Sequence, residues 1–313
     1  MTCNNPFEYL EVHGRDRAFM CCPSWLPVQL SMDNIKKEWN SSKVIKARKS
    51  ALEGHYRECT EHCPLLKLHG RKNSCEGERE LYSPGPSRVK FCFDRECNLY
   101  CTSCRPKLET CSPEQRSENR VIIEKLESIF GETITRVDLS GSGDPFFSKT
   151  LREWLKSVSK ERYPKLDYIH LHTNALLWTP KMWKEIENAV PYIKSAEISI
   201  DAATKNTYES IRRGGKWETL QENLKFIDTL GLEFVTLSFV VQEGNYTELE
   251  AFYEMAASNF KQTKFFVRYA QILDWGVPDF QKLNCFSDPE KVRVIKEQVK
   301  ALEEKYSNVY SDI

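Results

Sequence analysis

No stretch of roughly 18 apolar residues occurs anywhere in the sequence, so no part of it is expected to cross a bilayer as a helix. No apolar signal segment opens it either, and the expected location is the cytoplasm. An excess of one charge is also missing, since 45 Lys and Arg face 45 Asp and Glu. A strongly basic nucleic-acid footprint is therefore absent. Cysteine is what the chain has in abundance, 12 among 313 residues. In a reducing compartment, metal coordination explains that number better than disulfides do. The length suits one large domain with a smaller addition.

Three of the cysteines stand together in Cys97-Asn-Leu-Tyr-Cys101-Thr-Ser-Cys104, just after a β-like stretch, Arg88-Val-Lys-Phe-Cys-Phe-Asp94. Thiolates at i, i+4 and i+7 can wrap a loop around one face of an iron-sulfur cube, and a 4Fe-4S cluster takes four ligands. The position left open can bind a cofactor or substrate and pass it an electron. The bland readings are a zinc knot or three buried thiols. This C-x3-C-x2-C spacing resembles the signature of the radical S-adenosylmethionine (radical SAM) enzymes, in which the amino acid end of the cofactor fills the open site.

Further segments extend the resemblance. Gly141-Ser142-Gly143-Asp144-Pro145 follows a strand-like run from Thr135 and is similar to the family's GGEP-type segment, whose backbone and acidic side chain hold the cofactor's methionine amino group. Here Ser142 and Asp144 replace the commonest residues, and the shorter Asp144 has less reach. Tyr168-Ile-His-Leu-His-Thr-Asn174 resembles the next polar strand end, with Ala175 where a glycine is usual. The run Ala196-Glu-Ile-Ser-Ile-Asp201, with Arg212 after a short helix, resembles the subfamily with SPASM-type extensions. That likeness implies that Ser199 contacts the cofactor ribose and Arg212 its carboxylate. Consecutive helical positions face different directions, so Arg213 is expected to point to solvent.

Periodicity supports the same architecture independently. Strand-like runs near 88–94, 135–140, 168–173, 195–201, 233–241 and 264–271 alternate with helical patterns near 114–130, 147–159, 180–189, 217–230, 246–257 and 288–306. Six such units predict an α/β fold, a partial (β/α)6 TIM-like barrel over residues 86–313, with helices outside and the active face at the C-terminal strand ends. His170 and His172 share a strand and are expected to face opposite sides, leaving at most one inside the barrel. Trp275 is expected to close the open side.

Residues 1–85 break the rhythm. Cys3 and the adjacent pair Cys21, Cys22 bracket a hairpin pattern, and Cys59 and Cys63 follow a basic helix whose lysines and arginine are expected to be solvated. The region resembles the auxiliary-cluster half of a SPASM or twitch domain, placed before the barrel rather than after it. That resemblance implies an auxiliary 4Fe-4S cluster on Cys3, Cys21, Cys59 and Cys63, with Cys21 preferred over Cys22. A four-thiolate zinc site is the alternative. Cys75, Cys92, Cys111 and Cys285 remain over, Cys92 being read as a small buried residue.

The resemblance implies reductive cleavage of S-adenosylmethionine to a 5'-deoxyadenosyl radical, which abstracts a hydrogen from a substrate. The partners expected are a reductant such as flavodoxin or ferredoxin and a small-molecule or glycan-pathway substrate, a carbohydrate undergoing dehydrogenation or epimerisation. A peptide substrate is the alternative within the family. An iron-sulfur electron carrier or binding module without chemistry is the alternative from another class.

Overall fold

The computed structural model describes residues 3–69 and 80–313. Cys75 lies outside the described residues. Six strands with β-branched and aromatic residues at alternate positions form the centre: β4 (Arg88–Phe91), β5 (Arg136–Leu139), β6 (Tyr168–Thr173), β7 (Ile193–Ser199), β8 (Phe234–Val241) and β9 (Phe265–Gln271). Each pairs in parallel with the next. Parallel neighbours need crossovers, and helices such as Pro113–Phe130, Lys149–Ser157, Trp217–Asp228, Leu249–Asn259 and Pro289–Lys305 supply them. The expected strands and helices are present within a few residues of their predicted ends, as a partial barrel.

Sequence periodicity did not reveal where the N-terminal hairpin goes. Its strands β1 (Tyr9–Gly14) and β2 (Arg17–Phe19) are antiparallel, and a short β3 (Gln29–Leu30) follows. β1 also pairs in parallel with β4, Tyr9 against Arg88 through Val12 against Phe91. At the far side β10 (Val309–Ser311) adds to β9 in parallel. Among the described residues the result is one ten-stranded sheet in the order β10-β9-β8-β7-β6-β5-β4-β1-β2-β3. The boundary expected at residues 85/86 thus falls between two members of the same sheet.

Side chains alternate across a strand, and the two faces differ in chemistry. Val89, Phe91, Val137, Leu139, Ile169, Leu171, Leu237 and Phe239 are buried in the apolar core under the helices. The opposite face carries Glu11, Lys90, Asp138, His170, His172, Glu197 and Arg268, so the hollow of the barrel is polar. His170 and His172 both belong to it. Residues two apart on a strand share a face, which corrects the expectation that they point to opposite sides. Nor is the basic helix Ser42–Leu52 solvated throughout. Arg48 is fully buried, donating to the carbonyls of Pro6 and Leu81 and to Asn40 Oδ1, with its guanidinium 4.8 Å from the Trp39 ring centroid.

Burial depresses the His170 imidazole to about 4, the Asp138 carboxylate pulling more weakly the other way. An unfolded chain takes up that proton near the ordinary histidine value, about 6.5. Between those two values the unfolded state holds more protons, so stability falls as pH is lowered through the window and is flat above it. The contribution is up to about 3 kcal/mol. His170→Asn, which keeps a partner for the Ser195 hydroxyl 2.6 Å away, is expected to flatten the acid limb of melting temperature against pH. An unaltered slope in the variant would assign the acid sensitivity to other groups.

Candidate functional site

The loop after β4 is pinned from below before it reaches the cysteines. Asp94 is buried and accepts from the Glu96 amide at 2.9 Å, the Ser148 hydroxyl at 2.8 Å and the Asn119 amide at 3.1 Å. Glu96 in turn accepts from the Cys111 and Lys149 amides and pairs with Arg116 at 2.7 Å. The Cys97 amide donates to the Glu109 carbonyl, and the Tyr100 and Thr102 amides donate to the carbonyls of Arg213 and Ile211. Backbone bonds therefore hold the cysteine loop against the end of helix Lys205–Ile211. Burying such a loop is affordable because its polar backbone is paired.

That docking brings separate segments to one cavity of about 290 Å3. Cys97, Cys101, Cys104, Gly141, Ser142, Gly143, Asn174, Ser199 and Arg212 all line it. Asp144 does not. Its buried carboxylate accepts from Thr173 Oγ1 at 2.7 Å and from the amides of Asn174, Phe146 and Phe147, tying the β5 loop to the end of β6. The reach toward a ligand's amino group expected of this side chain is thus replaced by a positioning role. Gly143 is needed for close approach, since a Cβ there would fall 2.5 Å from the Glu96 carbonyl oxygen.

The backbone is strained at three strand ends, at or beside residues that line the cavity. Ser140, Ala175 and Asp201, each just past the end of β5, β6 or β7, have φ of 72°, 61° and 62°. Left-handed conformations in residues with a Cβ cost of order 1 kcal/mol or more each and persist where the surroundings fix them. Asp201 shows how. Its carboxylate accepts from the Val240 amide at 2.8 Å and pairs with Arg212 at 2.7 Å, while Asn245 caps its carbonyl.

Each sulfur faces an N–H donor. Cys97 Sγ accepts from the Leu99 amide at 3.4 Å and lies 3.7 Å from Asn174 Nδ2. Cys101 Sγ lies 3.7 Å from Arg212 Nη1. Cys104 Sγ accepts from Arg105 Nε and Nη2, each at 3.4 Å. Burial pushes the Cys97 thiol up to about 12 and raises Cys101 as well. A soft cation that displaces the protons is the chemistry that converts these thiols to thiolates, and the donors are already aimed at the resulting charge. Among the described residues Arg212 Nε has no hydrogen-bond partner although it is buried, which leaves one cationic N–H for an anionic ligand.

A second cavity, of about 240 Å3, is lined by Cys3, Cys21, Cys59 and Cys63 together with Pro6, Trp25 and Leu26. Asn5 Nδ2 donates to Cys21 Sγ at 3.3 Å. Cys22 is not among the lining residues and feels the charges of Glu11 and Lys90 instead.

Two residues at the main cavity, Arg105 and Asp201, were not singled out from sequence as site residues. Arg105 closes it from below, donating also to the Ser142 carbonyl at 2.5 Å and the Arg95 carbonyl at 2.7 Å. Its place directly after Cys104 was the available signal. Asp201, quoted only as a strand end, carries the anchor of Arg212. His172 lines the cavity 3.1 Å from Ser199 Oγ and is lowered by burial. Ile272, Leu273 and Trp275 form an apolar rim, with Trp275 70% exposed. Arg213 corrects its expectation. Rather than pointing to solvent it donates Nε to the Tyr100 carbonyl at 3.1 Å and lies 5.1 Å from that ring's centroid, clasping the cysteine loop.

The model of the Radical SAM superfamily matches residues 93–256, a little over half of the chain. The GTP 3',8-cyclase of Petrotoga mobilis is 29% identical over 191 residues, 59% of this chain and 57% of that one. The GTP 3',8-cyclase of Alkaliphilus oremlandii is 25% identical over 209 residues, 64% and 63% of the two chains. The chain therefore spans about three fifths of the length of these relatives. Among solved structures, Streptococcus suis SuiB bound to precursor peptide SuiA superposes with a TM-score of 0.51 at 15% identity, covering 81% of this chain and 52% of that one. SuiB bound to S-adenosylmethionine gives 0.50 at 15%, covering 80% and 53%. At that identity the likeness concerns the fold.

Proposed function

The chain belongs to the Radical SAM superfamily, and from that premise we propose that it opens S-adenosylmethionine reductively in the main cavity and removes a hydrogen from a small, polar, hydroxyl-rich substrate. The observation that carries this reading is the meeting of Cys97, Cys101 and Cys104 with Gly141, Ser199 and Arg212 around one cavity. The residues suit the group. Three sulfurs receive N–H donors, and one arginine N–H is left over for a carboxylate. When bound, a 4Fe-4S cluster and its S-adenosylmethionine supply one-electron cleavage of a carbon–sulfur bond and a hydrogen-abstracting 5'-deoxyadenosyl radical.

The chain's own residues provide placement. Cys97, Cys101 and Cys104 hold the cluster, and Arg105 offsets the charge of the third thiolate. Arg212, itself oriented by Asp201, receives the cofactor carboxylate. The backbone of Gly141, Ser142 and Gly143 approaches the amino end, and Asn174 and Ser199 flank the sugar. Ile272, Leu273 and Trp275 on the rim shield the reacting carbon from water.

For the substrate, the polar hollow supports a small charged or hydroxylated molecule, a sugar or nucleotide-like compound, over an apolar one. The similarity to enzymes named for acting on GTP supports the same class. A reductant of flavodoxin or ferredoxin type supplies the electron. The second cavity is assigned an auxiliary 4Fe-4S cluster on Cys3, Cys21, Cys59 and Cys63, since four thiol side chains surround it and its other lining is mostly apolar.

One preparation tests both parts. Full-length protein reconstituted anaerobically is expected to hold close to two 4Fe-4S clusters per chain and, when reduced, to convert S-adenosylmethionine to methionine and 5'-deoxyadenosine. Sugar and nucleoside phosphates are expected to accelerate that turnover and peptides are not. Absence of 5'-deoxyadenosine from loaded, reduced protein would refute the catalytic reading. One cluster accompanied by a zinc ion that depends on Cys59 and Cys63 would refute the auxiliary assignment.

A further inference from the structure

Two cysteines near the hairpin belong to neither cavity: Cys92, one step beyond β4, and Cys22, beside Cys21. The Cys92 amide donates to the Val12 carbonyl at 2.8 Å, carrying the β1–β4 pairing one residue further and setting Cys92 next to His13. Glu11, two residues before His13, presents its side chain on the same face. The three side chains converge. His13 Nε2 is 2.7 Å from Glu11 Oε1, and Cys92 Sγ is 3.8 Å from that oxygen. One donor atom from each residue lies within 4.8 Å of those of the other two. Glu11 and Cys92 are buried, and the Tyr9 hydroxyl donates to the second Glu11 oxygen at 2.8 Å.

We propose that Glu11, His13 and Cys92 form a metal site of their own, for zinc or a cation of like softness, distinct from both iron-sulfur cysteine sets. The donor set decides the class. A thiolate, an imidazole and a carboxylate are the three ligand types that zinc takes, at bond lengths near 2.0–2.3 Å. Magnesium and calcium take oxygen shells and are excluded by the sulfur and nitrogen. Tyr9 holds the carboxylate in place, as outer partners of metal ligands do. Charge also balances, since one thiolate and one carboxylate neutralise a dication.

The location gives the site a role. A Cβ on Gly141 would stand 3.1 Å from Cys92 Sγ and 3.3 Å from Lys90 Nζ, so the Cys92 donor lies directly behind the glycine loop that lines the main cavity. A cation there would bind the hairpin to the first core strand and stiffen the wall against which the cofactor rests.

The test uses the full-length, cluster-loaded protein, with zinc measured beside iron and sulfide. About one zinc per chain is expected, with a mixed sulfur and nitrogen/oxygen shell in zinc-edge X-ray absorption. His13→Gln and Cys92→Ser are each expected to weaken zinc binding more than the roughly 10–100-fold typical of losing an outer-shell partner, leaving iron and sulfide unchanged. Cys59→Ser is expected to keep the zinc. His13 is partly exposed, so its variant decides the matter even if Cys92→Ser folds poorly. A chain without zinc after dialysis against zinc, zinc indifferent to His13→Gln, or a shell of four sulfurs would each overturn the proposal.

Discussion

Alanine at Cys97, Cys101 and Cys104 together is expected to lower 5'-deoxyadenosine formation to the background of a protein-free control. The three thiols are the only cysteines lining the main cavity among the described residues, so none of the other described cysteines lines it to take over the ligation. The iron content should fall by one cluster while the second cysteine set stays loaded. Cys59→Ala with Cys63→Ala provides the contrast, retaining cleavage of S-adenosylmethionine while losing substrate turnover or stability. Equal cleavage by the triple variant and the parent would remove the basis of the whole assignment.

Arg212→Ala is expected to weaken S-adenosylmethionine binding roughly tenfold or more, since a hydrogen bond to a charged group contributes about 1.5–3 kcal/mol and about 1.4 kcal/mol is a factor of ten. A second loss accompanies it. Truncation leaves the Asp201 carboxylate buried without its cation, and breaking a buried pair from one side costs about 3–5 kcal/mol. Asp201→Asn combined with Arg212→Ala separates the two effects. Thermal stability should be partly restored in the double variant and affinity should not. Arg213→Ala should affect the cluster more than the cofactor, because it releases the Tyr100 carbonyl and ring from their clasp. Titration calorimetry on oxidised, cluster-loaded protein measures both, and parent-like binding by Arg212→Ala would show that the carboxylate is held elsewhere.

What could be read from the sequence was what is encoded locally. The three-cysteine spacing lies within eight residues, and each core strand announces itself by alternation over four to eight positions. Residues that act through distant partners were less visible. Nothing in Ile-Ser-Ile-Asp201 announces that its carboxylate will orient an arginine eleven residues on and cap the β8 end as well. Asp144 looked like a ligand because its segment does, yet its short side chain finds four donors inside the protein before it reaches the cavity. The two histidines of β6 were legible in principle, since parity along a strand already puts them on one face. The partner of β1 was not. Parallel pairing between Tyr9 and Arg88 joins segments some 80 residues apart, and no local pattern marks it.

That pairing sets how far the chain can be shortened. With residues 1–85 cut away, the backbone N–H and C=O groups of Arg88, Val89, Lys90 and Phe91 that now bond to β1 would stand open along one side of a parallel sheet. Open strand edges recruit other strands, and sheets are normally protected by charge, by cover or by an added strand. β1 is that cover on one flank, as β10 is on the other. A barrel lacking its hairpin would therefore present a sticky margin at the very strand that leads into Cys97, and would be prone to self-associate there before any cluster could be inserted.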